Sequence, residues 1–491
     1  MTAPAASPAS PPASSVPAGS HVPTRRNAEL ALLLFAMGIV TAYAAAVEYG
    51  VNRHLDRFWL PPLLLTLVFL AAHLAVRFLT PYADPAILPA VALLNGIGLV
   101  FLRRIDLDPK MPDLDPHPNF VDFGGIAFKQ LIWTIAAIVV ATAFLLIVRD
   151  HRILSRYAYT LGLAGLVLMM IPAVLPASLS EVNGAKLWIR FGSFFQIQPG
   201  EFAKLLVLSF FAYYLVRKRE VLSLASRRFL GIDYPRGRDL GPVLLVWGVS
   251  LFVLVFEKDL GTSLLYFGMF VVTLYIATER VSWLIIGLLL FFGGAFIAYL
   301  LGAAVGGPFA NFYGRVGVWL HPFDDPNKSG YQLVQSLLGL GTGGLFGSGP
   351  GAGFPDQVPA VYNDFVFAGI GEEIGLFGLT ALLMIYLVIV ERGLRAAIAV
   401  RDSFGKLMAG GLAFTLALQV FVIVGGVTKL IPLTGQTTPF LSAGGSSLMA
   451  NWLLIALLLR VSDASRRPAG AGTATGAVPV KLAGLATEVM R

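Results

Sequence analysis

The chain has 491 residues, 56% of them hydrophobic and only 13% charged, with a formal net charge of +8 and no cysteine. A soluble domain carries about a quarter charged residues. This composition therefore excludes a soluble globular protein and implies an all-α polytopic bundle of membrane helices. Without cysteine there are no disulfides, thiolate metal sites or cysteine nucleophiles. The six histidines, at 21, 54, 73, 117, 151 and 321, show no metal-ligand spacing. The excess positive charge fits loops that set membrane topology better than a nucleic-acid surface, so no nucleic-acid partner is expected.

Residues 1–24, MTAPAASPASPPASSVPAGSHVPT, are an Ala/Pro/Ser low-complexity stretch predicted to be disordered, and 463–491 form a flexible tail. Between them, residues 25–462 are predicted to form one transmembrane domain. Its twelve apolar segments are 29–48, 60–78, 86–102, 127–148, 157–176, 202–216, 241–256, 260–278, 282–305, 365–391, 407–428 and 440–460. Segments 202–216 and 241–256 are shorter than the ~20 residues that span a bilayer, so 10–12 membrane helices are expected. The first segment follows Arg25-Arg26 but is too long for a cleaved signal, and eleven more follow, which makes it an anchor.

Lysine and arginine then orient the bundle. With both termini cytoplasmic, the inner loops receive Arg149, Arg152 and Arg156, the run from Arg217 to Arg238, Arg392 to Lys406, and Arg460, Arg466 and Arg467. Segments 103–126, 177–201, 257–259 and 306–364 fall outside. The last is a large extracytoplasmic loop, too long to be idle in a compact protein. Any chemistry is thus expected on the outer face.

Several stretches carry letters of known motifs. GLGTGG, from Gly339 to Gly344, matches a dinucleotide pattern but lacks the strand before it. The glycines of GTGGLFGSGPGAG more plausibly let backbone approach other backbone or a ligand closely, packed on protein or lining a cavity. Asn327-Lys328-Ser329 is a glycosylation sequon by letter only. Lys186, Trp188, Arg190, Glu201 and Lys204 cluster at the mouth of the sixth segment, either as an interfacial belt or as a functional group. Glu201 and Lys204 are three apart and can pair. The turn Glu257-Lys258-Asp259 reads as a self-neutralising tip, with Asp259 capping the next helix.

Five stretches together resemble the SEDS family of bacterial cell-wall polymerases, the RodA/FtsW/SpoVE proteins. They are NGAKLWIRFGSFFQIQPGEFAK (183–204), DLGTS (259–263), GYQLVQSLLGLGTGGLFGSG (330–349), NDFVFAGIGEEIGLFG (363–378) and KLIPLTGQTTPFLSAGGSSL (429–448). The resemblance covers about 180–460 in the family order. It implies a glycosyltransferase of the bacterial cytoplasmic membrane that polymerises lipid II outside it. Implied partners are a class B penicillin-binding protein, which crosslinks, and other membrane proteins of the elongasome or divisome. The elongation, RodA-like type is favoured over the division type. The sequence departs from the family pattern at Glu257-Lys258, at Gly200 and in Val358 to Asn363, while Asp364 is kept. Members usually have ten membrane helices, so twelve segments imply two extra ones near the N-terminus.

Such a reaction joins a sugar hydroxyl to an anomeric carbon bearing a lipid pyrophosphate. The hydroxyl needs a general base, and the pyrophosphate needs cations rather than a proton donor. The resemblance gives Asp364 the base role, and Arg190, Lys204, Arg315, Lys186 and Lys258 are the candidate cations. Trp188 is placed to stack on sugar or lipid, with Glu201, Asp259, Gln332 and Gln335 in support. A divalent cation, Mg or Mn, bridging the pyrophosphate stays open with no ligand set assigned. If a helix starts near Asp364, Glu372 lies about 12 Å deeper, beyond the roughly 5–9 Å of carboxylates acting across one bond. Glu372 and Glu373 are instead expected to hold an internal cation such as Lys204 or Lys429. Gly371 and Gly375 would form a step for close packing of a neighbouring helix. A lipid-linked-sugar flippase and a non-catalytic scaffold of the cell-wall complex are the two other classes such a chain fits.

Overall fold

The computed structural model describes residues 24–468 except 56, 112–115, 118, 183–184, 192–194, 225–226, 230–231, 235–240, 242–244, 246–247, 250–251 and 253–258. The N-terminal stretch 1–23, the tail beyond 468, most of the predicted segment 241–256, and Glu257 and Lys258 lie outside the described residues. Among the described residues, thirteen helices of more than four residues organise the rest: α1 (Arg26–Asn52), α2 (Leu60–Leu79), α3 (Ile87–Asp106), α4 (Ile126–Ile147), α5 (Ala158–Val174), α6 (Pro199–Leu224), α7 (Leu260–Thr278), α8 (Ser282–Ala304), α9 (Ala310–Leu320), α10 (Tyr331–Gly343), α11 (Val366–Ala399), α12 (Ser403–Val427) and α13 (Gly445–Arg466). Among the described residues, ten of these are long and apolar enough to cross a membrane, and α5 is a shorter apolar helix. The chain is a polytopic all-α membrane protein. Eleven of the twelve predicted segments are helices, most with ends within a few residues of their predicted bounds. The short segment 202–216 is part of α6, which begins at Pro199, a residue suited to a first helical position.

Polar content decides which helices are central. Hydrocarbon cannot satisfy a polar side chain, so helices that carry such groups must bury them against protein. Helix α3 buries Asn95, Arg103 and Arg104, and α13 buries Asn451, Arg460 and Asp463; both run through the middle. Helix α8 carries no charge and buries only Gly287 and Gly302, as a lipid-facing helix should. At one end of the bundle, charged groups clasp the helix ends together. Asp84 receives Arg466 and Arg392, Tyr82 N donates to Asp463 at 2.9 Å, and His151 Nε2 meets Asp402 at 2.9 Å. Asp402 also accepts from Gly405 N, and with His151 this holds its carboxyl down at about 2 despite its partial burial.

At the opposite end, residues 306–364 are more ordered than a plain loop, since they carry α9, α10 and two 3-10 turns. The glycine-rich run after α10 folds back onto α11. Ser348 N and Gly349 N donate to the carbonyls of Glu372 and Glu373 at 2.9 and 3.0 Å, and Leu376 N donates to Gly344 O at 2.9 Å. Helix α11 breaks where this happens, at Gly375, whose φ is +67°. A Cβ there would sit 2.3 Å from Gly347 N, so only glycine admits the run. This corrects the expected Gly371–Gly375 helix-packing step. Gly371 does face α10, where a Cβ would meet Leu340 at 2.7 Å, but Gly375 is a backbone break that receives a loop.

Candidate active site

The chain approaches α11 through a tight turn. Asn363 N donates to Ala360 O at 2.9 Å, and Ala360 takes a φ of +53°. Val361 and Phe365 are wholly buried on either side and pin the turn, leaving Asn363 and Asp364 to line a cavity of about 620 Å³. Trp188, Glu201, Asp259, Arg315 and Gln332 line the same cavity. Burial raises the Asp364 carboxyl to about 6, against the opposing pull of Arg315.

Arg315 reaches this wall from α9. Its Nη1 donates to Leu433 O at 2.8 Å and its Nε to Asn311 Oδ1 at 3.4 Å. The segment around Gly435, where φ is +72°, runs so close that a Cβ would sit 3.6 Å from both guanidinium nitrogens. Burial lowers the Arg315 pKa, while Asp259 and Asp364 both hold it up, so its charge lies in the field of two carboxylates. Asp259 caps α7 as its position predicts, accepting from Thr262 N at 2.9 Å. Gln198 and Gln436 each donate to it at 3.3 Å, and burial raises its carboxyl. Gln332 Nε2 donates to Pro359 O at 2.9 Å and so ties α10 to the turn that presents Asp364.

Other predicted residues lie elsewhere. Lys204 donates to Glu201 Oε2 at 2.7 Å and to Gln419 Oε1 at 3.2 Å, and it is buried behind the cavity wall. Lys186, Arg190 and Gln335 are also outside the wall, although Arg190 pairs in a two-stranded ribbon with Gln196, which lines it. Among the described residues, Arg315 is the one cation of the lining.

Glu372 and Glu373 stand apart from the cavity, and their cation is not the expected one. Arg104 Nε donates to Glu373 at 3.1 Å, while Arg104 also bonds Asp108 at 2.8 Å and Gly353 O at 3.0 Å. Lys204 is already satisfied on α6, and Lys429 sits half-buried in a left-handed turn just beyond α12. It is α3, packed against α11, that supplies the charge. Glu372 accepts from Thr342 Oγ1 and Phe354 N, both at 3.1 Å, and so holds the glycine-rich run in place. Within the stretch 429–448, Thr434 to Thr437 and Ala443 to Ser447 also line the cavity, none of them a candidate from sequence. Their neutral side chains and backbone give no charge signal. Among the described residues no three His, Asp or Glu side chains gather where they could hold a metal ion.

A family model for FtsW, RodA and SpoVE, described as cell cycle protein, matches residues 85–467. Both α1 and α2 precede that match. The chain is 51% identical to the peptidoglycan glycosyltransferase RodA of Mycobacterium tuberculosis, over 91% of this chain and 92% of that protein. One similar solved structure concerns the structural coordination of polymerization and crosslinking by a peptidoglycan synthase complex. It has a TM-score of 0.58 and 27% identity, covering 77% of this chain and 97% of that one. The crystal structure of the Thermus thermophilus rod shape determining protein RodA aligns at a TM-score of 0.51 and 25% identity, covering 79% and 98%. A match over most of the chain, with half of the residues identical in a relative of nearly the same extent, makes this chain a member of the FtsW/RodA/SpoVE family.

Proposed function

We propose that the chain is a peptidoglycan glycosyltransferase of the elongation type, polymerising lipid II at the outer face of the bacterial cytoplasmic membrane. The observation that carries this reading is one cavity wall holding both a carboxylate and a guanidinium, Asp364 and Arg315. The reaction needs that pair: a base for the attacking hydroxyl and a cation for a leaving pyrophosphate. Asp364, with its carboxyl raised to about 6, is ionised at neutral pH yet basic enough to take a hydroxyl proton. The sugar oxygen then bonds the anomeric carbon as the bond to the lipid pyrophosphate breaks. The proton stays on Asp364, and the pyrophosphate carries its negative charge toward Arg315. Hydrogen bonds to Leu433 O and Asn311 Oδ1 keep Arg315 in place, and the nearby Asp259 carboxylate, itself held by the amides of Gln198 and Gln436, favours its charge.

The M. tuberculosis relative is named a peptidoglycan glycosyltransferase, which supports the activity. The structural neighbour that coordinates polymerization with crosslinking supports a crosslinking partner, a class B penicillin-binding protein, for this chain. Residues 25–462 act as one membrane domain with both termini cytoplasmic. The test is Asp364→Asn in the purified full-length protein supplied with lipid II. Glycan strands should fall at least a hundredfold below wild type while the melting temperature is kept. Polymer near the wild-type amount would overturn the base assignment. Unchanged polymer with altered lipid II movement between leaflets would favour a flippase.

A further inference from the structure

Trp133 lines the cavity from α4, yet it lies far in sequence from every other lining residue. Its neighbourhood is built. One turn earlier on the same helix face, the buried Gln130 donates from Nε2 to Ser442 O at 3.0 Å and accepts from Gly444 N at 3.3 Å. That single amide clamps both sides of the backbone that leads into α13. Gly445 follows directly, and a Cβ there would fall 2.2 Å from Cδ2 and 2.3 Å from Cε2 of the Trp133 indole. The ring thus lies against bare backbone, in a slot that only glycine leaves open. Two contacts therefore fix α4 to the 442–445 segment, and the indole is held in one place.

The same segment is joined to the base. Ala443 N donates to Tyr362 O at 2.8 Å, two residues before Asp364. Gln130 and Trp133, the 442–445 backbone and the Asp364 turn thus form one continuous wall. An indole buries a large apolar area with few rotatable bonds, and its face suits the C–H face of a pyranose ring. The group nearest a general base is the sugar whose hydroxyl it deprotonates. We infer that Trp133 is a binding residue for the sugar that carries the attacking hydroxyl, and that Gln130 is the positioning residue that sets the indole and the Asp364 turn in register. This rests on the polymerase reading of the same cavity.

The experiment uses full-length protein in proteoliposomes with lipid II titrated against initial rate. Trp133→Leu keeps apolar volume for packing but removes the aromatic face, and Trp133→Phe restores one. KM should rise roughly five- to tenfold in Trp133→Leu with kcat within about twofold, the scale of one lost ring contact. Trp133→Phe should recover most of that loss, and both should melt close to wild type. Gln130→Ala should lower kcat and shift the pH profile, because the turn presenting Asp364 loses its brace. A Trp133→Leu KM within twofold of wild type overturns the sugar contact while leaving the polymerase reading intact. A wild-type protein that makes no polymer removes both. If Trp133→Leu melts well below wild type and Trp133→Phe restores melting but not KM, the indole is structural and the inference fails.

Discussion

At the scale of single residues, Asp364 owes its properties to its flanks. Val361 and Phe365 take the buried positions of the turn, and the carboxylate faces a half-buried wall where desolvation outweighs the attraction of Arg315. A base must be deprotonated to work, and this carboxyl ionises at about 6. Polymerisation should therefore rise through about pH 6 and level off above about pH 7. A profile flat from about pH 5 to pH 7 would remove Asp364 from the rate equation. Stability has the opposite sign. A carboxyl raised in the folded state lends stability below the ordinary carboxylate range, and that is lost as pH rises through about 6. Asp364→Asn should accordingly melt at or above wild type at about pH 7.5, with the advantage gone at about pH 4.5. A proposed base that weakens the fold at working pH would show the stability–function trade-off expected of catalytic placement.

Among the elements, the pairing of α3 with α11 through Arg104 and Glu373 is a buried ion pair that joins two helices far apart in sequence. Removing one partner of a buried pair leaves the other charge without compensation, at a cost of about 3–5 kcal/mol. Arg104→Ala should lower the unfolding midpoint in detergent markedly, and adding Glu373→Gln should recover a good part of the loss. A double variant no more stable than the single one would show that Glu373 is not the group left exposed by the first change. The example also marks what could be read in advance. Apolar runs located eleven helices because a membrane helix is a local fact of composition, and Asp259 as a cap is equally local. The partner of Glu373 was not legible, because Arg104 lies 269 positions away and every buried cation is an equal candidate until the packing is known. The break at Gly375 hid for a related reason. A glycine repeat in an apolar run reads alike whether a helix or a loop packs on it, and only the backbone bonds from Ser348 and Gly349 distinguish the two. Trp133 and Gln130 carry no signal in sequence because they sit inside a helix whose apolar pattern explains itself.

For the whole molecule, the orientation of the bundle in the membrane decides where the proposed chemistry takes place. The cavity, the turn before α11 and the glycine-rich run all gather at one end, and the clasp of Asp84 with Arg466 and of His151 with Asp402 closes the other. Lysine and arginine crowd toward the clasp end, as in Arg149, Arg152, Arg395 and Arg401, and the charge bias of short loops makes that end the proposed cytoplasmic one. The chain has no cysteine, so any thiol introduced is a unique label. Ser329, exposed between α9 and α10 at the cavity end, and Ser403, exposed at the head of α12 at the clasp end, are the natural pair. In intact spheroplasts a membrane-impermeant maleimide should modify Ser329→Cys and leave Ser403→Cys untouched until the membrane is opened. Labelling in the reverse order would put the cavity in the cytoplasm. A lipid-linked sugar would then have to react before it crosses the membrane, and strand synthesis at the outer face would be untenable for this chain.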